Sequence, residues 1–227
     1  MTTAAGFEPF WLSVRVACLA TVLIVAVGLP LAYLLARGRF PGKGLLSGVL
    51  VLPLVLPPTV LGYYLLQVLG RRAWLGLWLE ERLGVVVVFH WTGAVIASAV
   101  AAFPLFLLPA RGALEGVDPR LEDVARLLGR RERSVFFAVT LPLARRGIVS
   151  GVVLAFARAL GDFGATLMVA GDIPGRTQTA SLAIYDAVQV NDHARAGWLS
   201  LAISAASVTA LWLAQPPTPR ERGEAGP

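Results

Sequence analysis

Charge is scarce in this sequence. Asp, Glu, Lys and Arg make up 15% of its 227 residues while 56% are apolar, and a water-soluble domain of this length carries about 25% charged residues. The composition excludes an ordinary soluble domain and suits lipid as the solvent. Cysteine is nearly absent: Cys18 stands alone inside an apolar run, which excludes a disulfide framework or a cysteine metal site within one chain, and it reads as a small buried hydrophobe. No G-x-x-x-x-G-K-[ST] phosphate loop occurs, so the chain is not expected to hydrolyse ATP. His90 and His193 lie far apart and no H-E-x-x-H is present, so an intramembrane enzyme gains no support. No long-period repeat supports a carrier built from inverted repeats. Residues 1–9 lack positive charge and the apolar run that follows is too long for a cleaved signal peptide, so it is expected to stay as a spanning helix.

What is present is a series of long apolar runs. A bilayer core of about 30 Å needs roughly 20 apolar residues as helix. Five stretches qualify, Phe10–Ala36, Leu45–Leu69, Val85–Pro109, Leu141–Ala170 and Ala196–Ala214, which predicts an all-α membrane protein spanning residues 1–214. The fourth stretch contains Gly147, Gly151, Gly161 and Gly164 with Arg158 and Asp162, so its outer end is expected to break or bend. The tail 215–227, with Pro216, Pro217 and Pro219 and then mixed charge, is expected to be a disordered cytoplasmic segment.

The net charge of +6 comes from basic residues in loops between apolar runs, a placement explained by the positive-inside rule without nucleic acid. One set of loops holds Arg37, Arg39 and Lys43, then Arg111, Arg120, Arg126, Arg130, Arg131, Arg133, Arg145 and Arg146, then Arg220 and Arg222. The alternate set holds Arg71, Arg72, Arg82, Arg176 and Arg195. The N-terminus is therefore predicted outside and the C-terminus in the cytoplasm. In the second loop Trp74, Leu77, Trp78 and Glu81 fall at helical spacing, which suits an interfacial helix with aromatic anchors or a contact for an external partner.

The third loop, on the basic side, carries a short amphipathic helix of its own. Asp118 is a plausible N-cap and Pro119 suits the first helical position. Leu121, Val124, Ala125 and Leu128 then form one apolar stripe, and Gly129 can stop the helix in a left-handed conformation. A helix this short cannot bury its stripe alone; it packs on its own spanning helices, lies on the membrane, or enters a groove on another protein.

These residues carry a resemblance. Glu122-Asp123-Val124-Ala125, Gly129 and Leu141-Pro142 look like the cytoplasmic EAA loop of bacterial ABC importer permeases. Counting back from Gly129 puts Asp123 at the usual acidic position, with Glu122 one residue earlier. The resemblance implies that Leu121, Val124, Ala125 and Leu128 dock into a cytoplasmic ATPase and pass its closure to the membrane helices. Leu52 to Tyr64, Phe156 to Thr166 and Gly171 to Thr179 are similar to molybdate permeases, while sulfate permeases have a related version of the Gly-acid-aromatic-Gly stretch. It further implies a homodimer with two ATPase subunits and a periplasmic molybdate-binding protein, with ATP and magnesium in the ATPase and no cofactor in this chain. Sulfate, thiosulfate or tungstate are the alternative cargoes.

The permeation path has its own candidates. Pro53, Pro57 and Pro58 interrupt the second run, and such breaks free backbone groups tolerated in lipid only where protein or water covers them. Thr59 then either faces a pathway or follows a structural kink. Arg158 and Asp162 share a helix face in the fourth run, near Thr166; they are either a structural salt bridge or part of a gate. No cluster of unpaired basic residues stands at mid-span, so affinity is expected in a separate binding protein.

Overall fold

The computed structural model describes residues 7–213. Residues 1–6 and 214–227, which include the expected tail, lie outside the described residues. The chain begins with α1, Glu8–Arg37, which at 1.5 Å per residue is about 45 Å long. Next come α2, Lys43–Val55, and α3, Pro58–Leu69, then the surface helix α4, Trp74–Leu83, and α5, Trp91–Glu115. The loop helix α6 is Pro119–Leu127. After it α7, Glu132–Val135, runs through a π-helical turn at Phe136–Thr140 into α8, Leu141–Leu160. The chain closes with α9, Gly164–Ala170, α10, Ala180–Gln189, and α11, His193–Leu213.

Helices 8–37, 91–115, 132–160 and 193–212 are long and apolar enough to cross a bilayer, and α2 with α3 makes a fifth crossing if the bent pair counts as one. The second stretch breaks at its prolines as expected: Leu56 and Pro57 are extended and α3 leaves α2 at 120°. A residue before proline is pushed out of the α region, and the second proline then opens a new helix. The third span starts at Trp91 rather than Val85, because Val85 to Val88 run back along its first turn, where the Thr92 hydroxyl donates to the Val86 carbonyl. Gly93 permits this, since a Cβ there would collide with the Val87 carbonyl. The fourth span starts earlier than Leu141, continuous from Glu132, and ends at the expected break before α9.

α5 is the centre of the bundle, packed between α1 and α8. In lipid there is no hydrophobic drive between helices, so close contact depends on small residues. Ala17, Ala20, Ala32, Ala102, Ala110, Ala144 and Ala155 fill the shared core around Phe106. A Cβ at Gly28 would lie 2.7 Å from the Phe106 ring, so α1 approaches α5 only because that residue is glycine. Cys18, expected to be buried, is exposed on the flank of α1. With hydrocarbon as the solvent, an outward apolar side chain loses nothing, so apolar character does not select the buried face.

Candidate functional site

The loop helix α6 is built from local signals. The Asp118 carboxylate accepts from Arg120 N–H at 2.9 Å, Pro119 fills the first turn, and Gly129 adopts φ +79°. Arg130 N–H then reaches back to the Ala125 carbonyl at 3.1 Å, closing the end of the helix. The faces differ from expectation. Leu121, Val124 and Leu128 are exposed, joined by Leu127 at 88% exposure, whereas Ala125 is buried. Ala125 is therefore not on the free face; it lies one turn from Glu122 and shares the side turned to the bundle.

Glu122 fixes that orientation. It is 2% exposed, and its Oε1 accepts from Arg37 Nη2 at 2.9 Å and from the Thr140 hydroxyl at 2.8 Å. Arg37 also donates to the Val117 carbonyl at 2.9 Å. One buried carboxylate thus ties α6 to the end of α1 and to the π-helical turn leading into α8. Asp123, at the position counted as acidic, is instead exposed and pairs with Arg126 at 2.7 Å. Arg126 bonds Glu132 as well at 2.7 Å, and these two hydrogen bonds, Glu132 first, raise its pKa above the ordinary arginine value. The π-helical turn has a local cause: Pro142 has no amide hydrogen, and the helix widens so that Leu141 N–H reaches the Phe136 carbonyl.

At mid-bundle two helix breaks meet. Pro57, Pro58 and Thr59, all exposed, form the corner between α2 and α3. Against it lies the start of α9: a Cβ on Gly164 would stand 2.8 Å from Pro58 Cβ and 3.5 Å from the Thr59 nitrogen. The Gly161–Phe163 break is held by Asp162, which is buried. Its Oδ1 accepts from Arg158 Nη1 at 3.0 Å, and its Oδ2 accepts from the Thr166 amide at 3.0 Å and the Thr166 hydroxyl at 2.8 Å. Thr166 Oγ1 lies 3.3 Å from Ser98 Oγ on α5. Asp162 therefore joins the end of α8 to the first turn of α9, and its partner Arg158 is about one-third exposed.

A loop helix bound to a helical bundle, with paired breaks inside the bundle, matches a known family over most of the chain: residues 28–214 fit the description "Binding-protein-dependent transport system inner membrane component". The chain belongs to this family. Molybdenum transport system permease protein ModB of Escherichia coli (strain K12) is 46% identical over 92% of this chain and 95% of its own length. ModB of Azotobacter vinelandii is 40% identical, over 83% and 84%. In solved structures the same fold appears in the inward-facing MetNI methionine ABC transporter, with TM-score 0.67 and 15% identity over 94% of this chain and 96% of that one. This permease is thus a multi-pass inner-membrane protein of the ABC transporter class. Four residues of its candidate sites escaped sequence reasoning: Arg37, Thr140, Ser98 and Leu127. Arg37 reads from sequence as one more positive-inside charge; only its 85-residue separation from Glu122, closed by the fold, makes it a structural partner.

Proposed function

We propose that this chain is the permease subunit of an ATP-driven molybdate importer, working as a homodimer with two cytoplasmic ATPase subunits and a periplasmic molybdate-binding protein. The observation that carries the cargo is the 46% identity, over 92% of the chain, to a permease named for molybdenum transport. In this reading the N-terminus is outside, α6 is cytoplasmic, and the chain itself is not an enzyme. ATP and magnesium act in the partner.

The geometry of α6 supports the coupling role. Leu121, Val124, Leu127 and Leu128 leave apolar surface outside the spans, of the kind a partner groove covers. Glu122, Ala125 and Gly129 hold the helix against the bundle, and Asp123 with Arg126 forms its polar flank. A push on α6 is passed through Glu122 to Arg37 on α1 and Thr140 before Leu141 and Pro142 on α8. At the other end of α8, Arg158 and Asp162 carry the movement into α9, whose Gly164 abuts Pro57, Pro58 and Thr59. Separating those two breaks is the gating step. Thr59 and the partly exposed Arg158 offer hydrogen bonds to a passing tetrahedral oxyanion, and the Arg158 guanidinium counters the Asp162 carboxylate that would otherwise repel it. The path thereby binds weakly and releases readily. The test is uptake of labelled molybdate into proteoliposomes holding the permease, ATPase and binding protein, with tungstate, sulfate and thiosulfate as competitors. Import of sulfate unaffected by excess molybdate would reassign the cargo and leave the permease role intact.

A further inference from the structure

The end of the bundle opposite α6 holds a cavity of about 800 Å³ between the first turns of α1, the His90 corner and the 175–178 loop. Arg15, His90, Trp91, Arg176 and Glu8 line it. A neighbouring cavity of about 400 Å³ shares Phe89, His90 and Arg176 and adds Arg71. Three arginines therefore converge on the side that the positive-inside rule leaves poor in arginine. Among the described residues none of the three lies in an ion pair.

Arg15 is held in a way that leaves it open to a ligand. Its guanidinium stacks on the Trp91 ring, 4.2 Å from the centroid, and a stacked guanidinium keeps its N–H donors in its own plane, directed past the ring. His90 Nδ1 lies 2.9 Å from Thr92 Oγ1 and accepts from the Thr92 amide at 3.5 Å, so the ring caps the first turn of α5 at the edge of the cavity. Glu8 is the one acid on the rim, and the two arginines outweigh it.

Depth identifies the ligand. Arg15 is seven residues into α1, about 10 Å from its start, and a helix of about 45 Å overhangs a 30 Å hydrocarbon core by roughly 7 Å at each end. Arg15 thus sits at the headgroup boundary, flanked by Trp11 and Trp91, the residues that mark that level. We propose that this cavity binds a tetrahedral oxyanion at headgroup depth, either the phosphate of a membrane phospholipid or a free oxyanion. It shares no lining residue with the paired helix breaks, so the inference stands whichever cargo the permease carries.

The test uses the full chain purified from membranes. By native mass spectrometry, retained phospholipid should fall about fivefold in Arg15→Gln and in Arg176→Gln, the loss expected for one basic residue at a membrane surface, and should be unchanged in Arg72→Gln, which lines neither cavity. In detergent micelles free of phospholipid, titration with inorganic phosphate and with molybdate reads the other source: binding that weakens in the same two variants assigns the site to a free oxyanion. Arg176 lies on an exposed loop, so its variant folds even if Arg15→Gln does not, and Arg15→Lys keeps the charge as a further control. Lipid retention and oxyanion binding both unchanged in Arg176→Gln and in a folded Arg15 variant overturn the proposal.

Discussion

Two carboxylates show how the same residue type serves different ends in this permease. Asp162 is buried but accepts three hydrogen bonds, one of them from the Arg158 guanidinium. Arg158→Gln leaves that carboxylate without its cation and is expected to cost on the order of 2 kcal/mol, read as reduced protein level and uptake. Adding Asp162→Asn should restore much of the loss in a double-mutant cycle; strictly additive losses would give each residue a separate task in the gate. Asp172 is the opposite case. Burial first, then the charge of Asp186, raise its pKa above the usual carboxylate value, and Gln178 donates to Asp186 at 2.7 Å, helping to hold the acidic pair together. A raised folded pKa means the folded state holds the proton more tightly. The resulting stability is complete below the unfolded value near pH 4 and is lost as pH rises through the folded value. Asp172→Asn should flatten that decline in a melting series from pH 4 to 8; an unaltered slope would move the effect to another group.

At the scale of elements, α6 presents two faces that mutation can separate. Leu128→Asp or Leu121→Asp puts a carboxylate on the exposed face, and desolvating it against a partner costs on the order of several kcal/mol. At about 1.4 kcal/mol per tenfold, ATPase binding should weaken by two or more orders of magnitude in a pull-down while the permease reaches the membrane at normal level. Ala125→Asp should instead lower that level, because Ala125 is buried against its own chain. Retained ATPase binding in both leucine variants would mean that the exposed face meets something else. The existence of α6 was legible from Asp118, Pro119 and Gly129, since capping is local chemistry. Its inward face was not: the apolar stripe suggested Ala125 on the docking face, but Glu122, bound to Arg37 and Thr140, turns its own side of the helix, Ala125 included, toward the bundle.

For the whole molecule, loop charge predicts an orientation with the N-terminus outside, and labelling tests it. In a Cys18→Ser background, needed because Cys18 is exposed, Pro174→Cys should react in intact cells with a membrane-impermeant thiol reagent, and Arg130→Cys only after permeabilisation. The reverse pattern would invert the topology. By itself the sequence determined the helical membrane class, the approximate spans, both helix breaks and the loop helix. These depend on hydrophobic run length, on proline and glycine, and on caps, all of which act within a few residues. Tertiary structure alone decided that the two breaks meet at Pro58 and Gly164, that Glu122 rather than Asp123 is the buried acid, and that Arg15 stacks on Trp91. Those contacts join residues far apart in the chain, and in lipid, where apolar surface is satisfied on either side of a helix, hydrophobic pattern does not say which face turns inward. Small residues and buried polar partners make that choice, and their pairing exists only once the helices have packed.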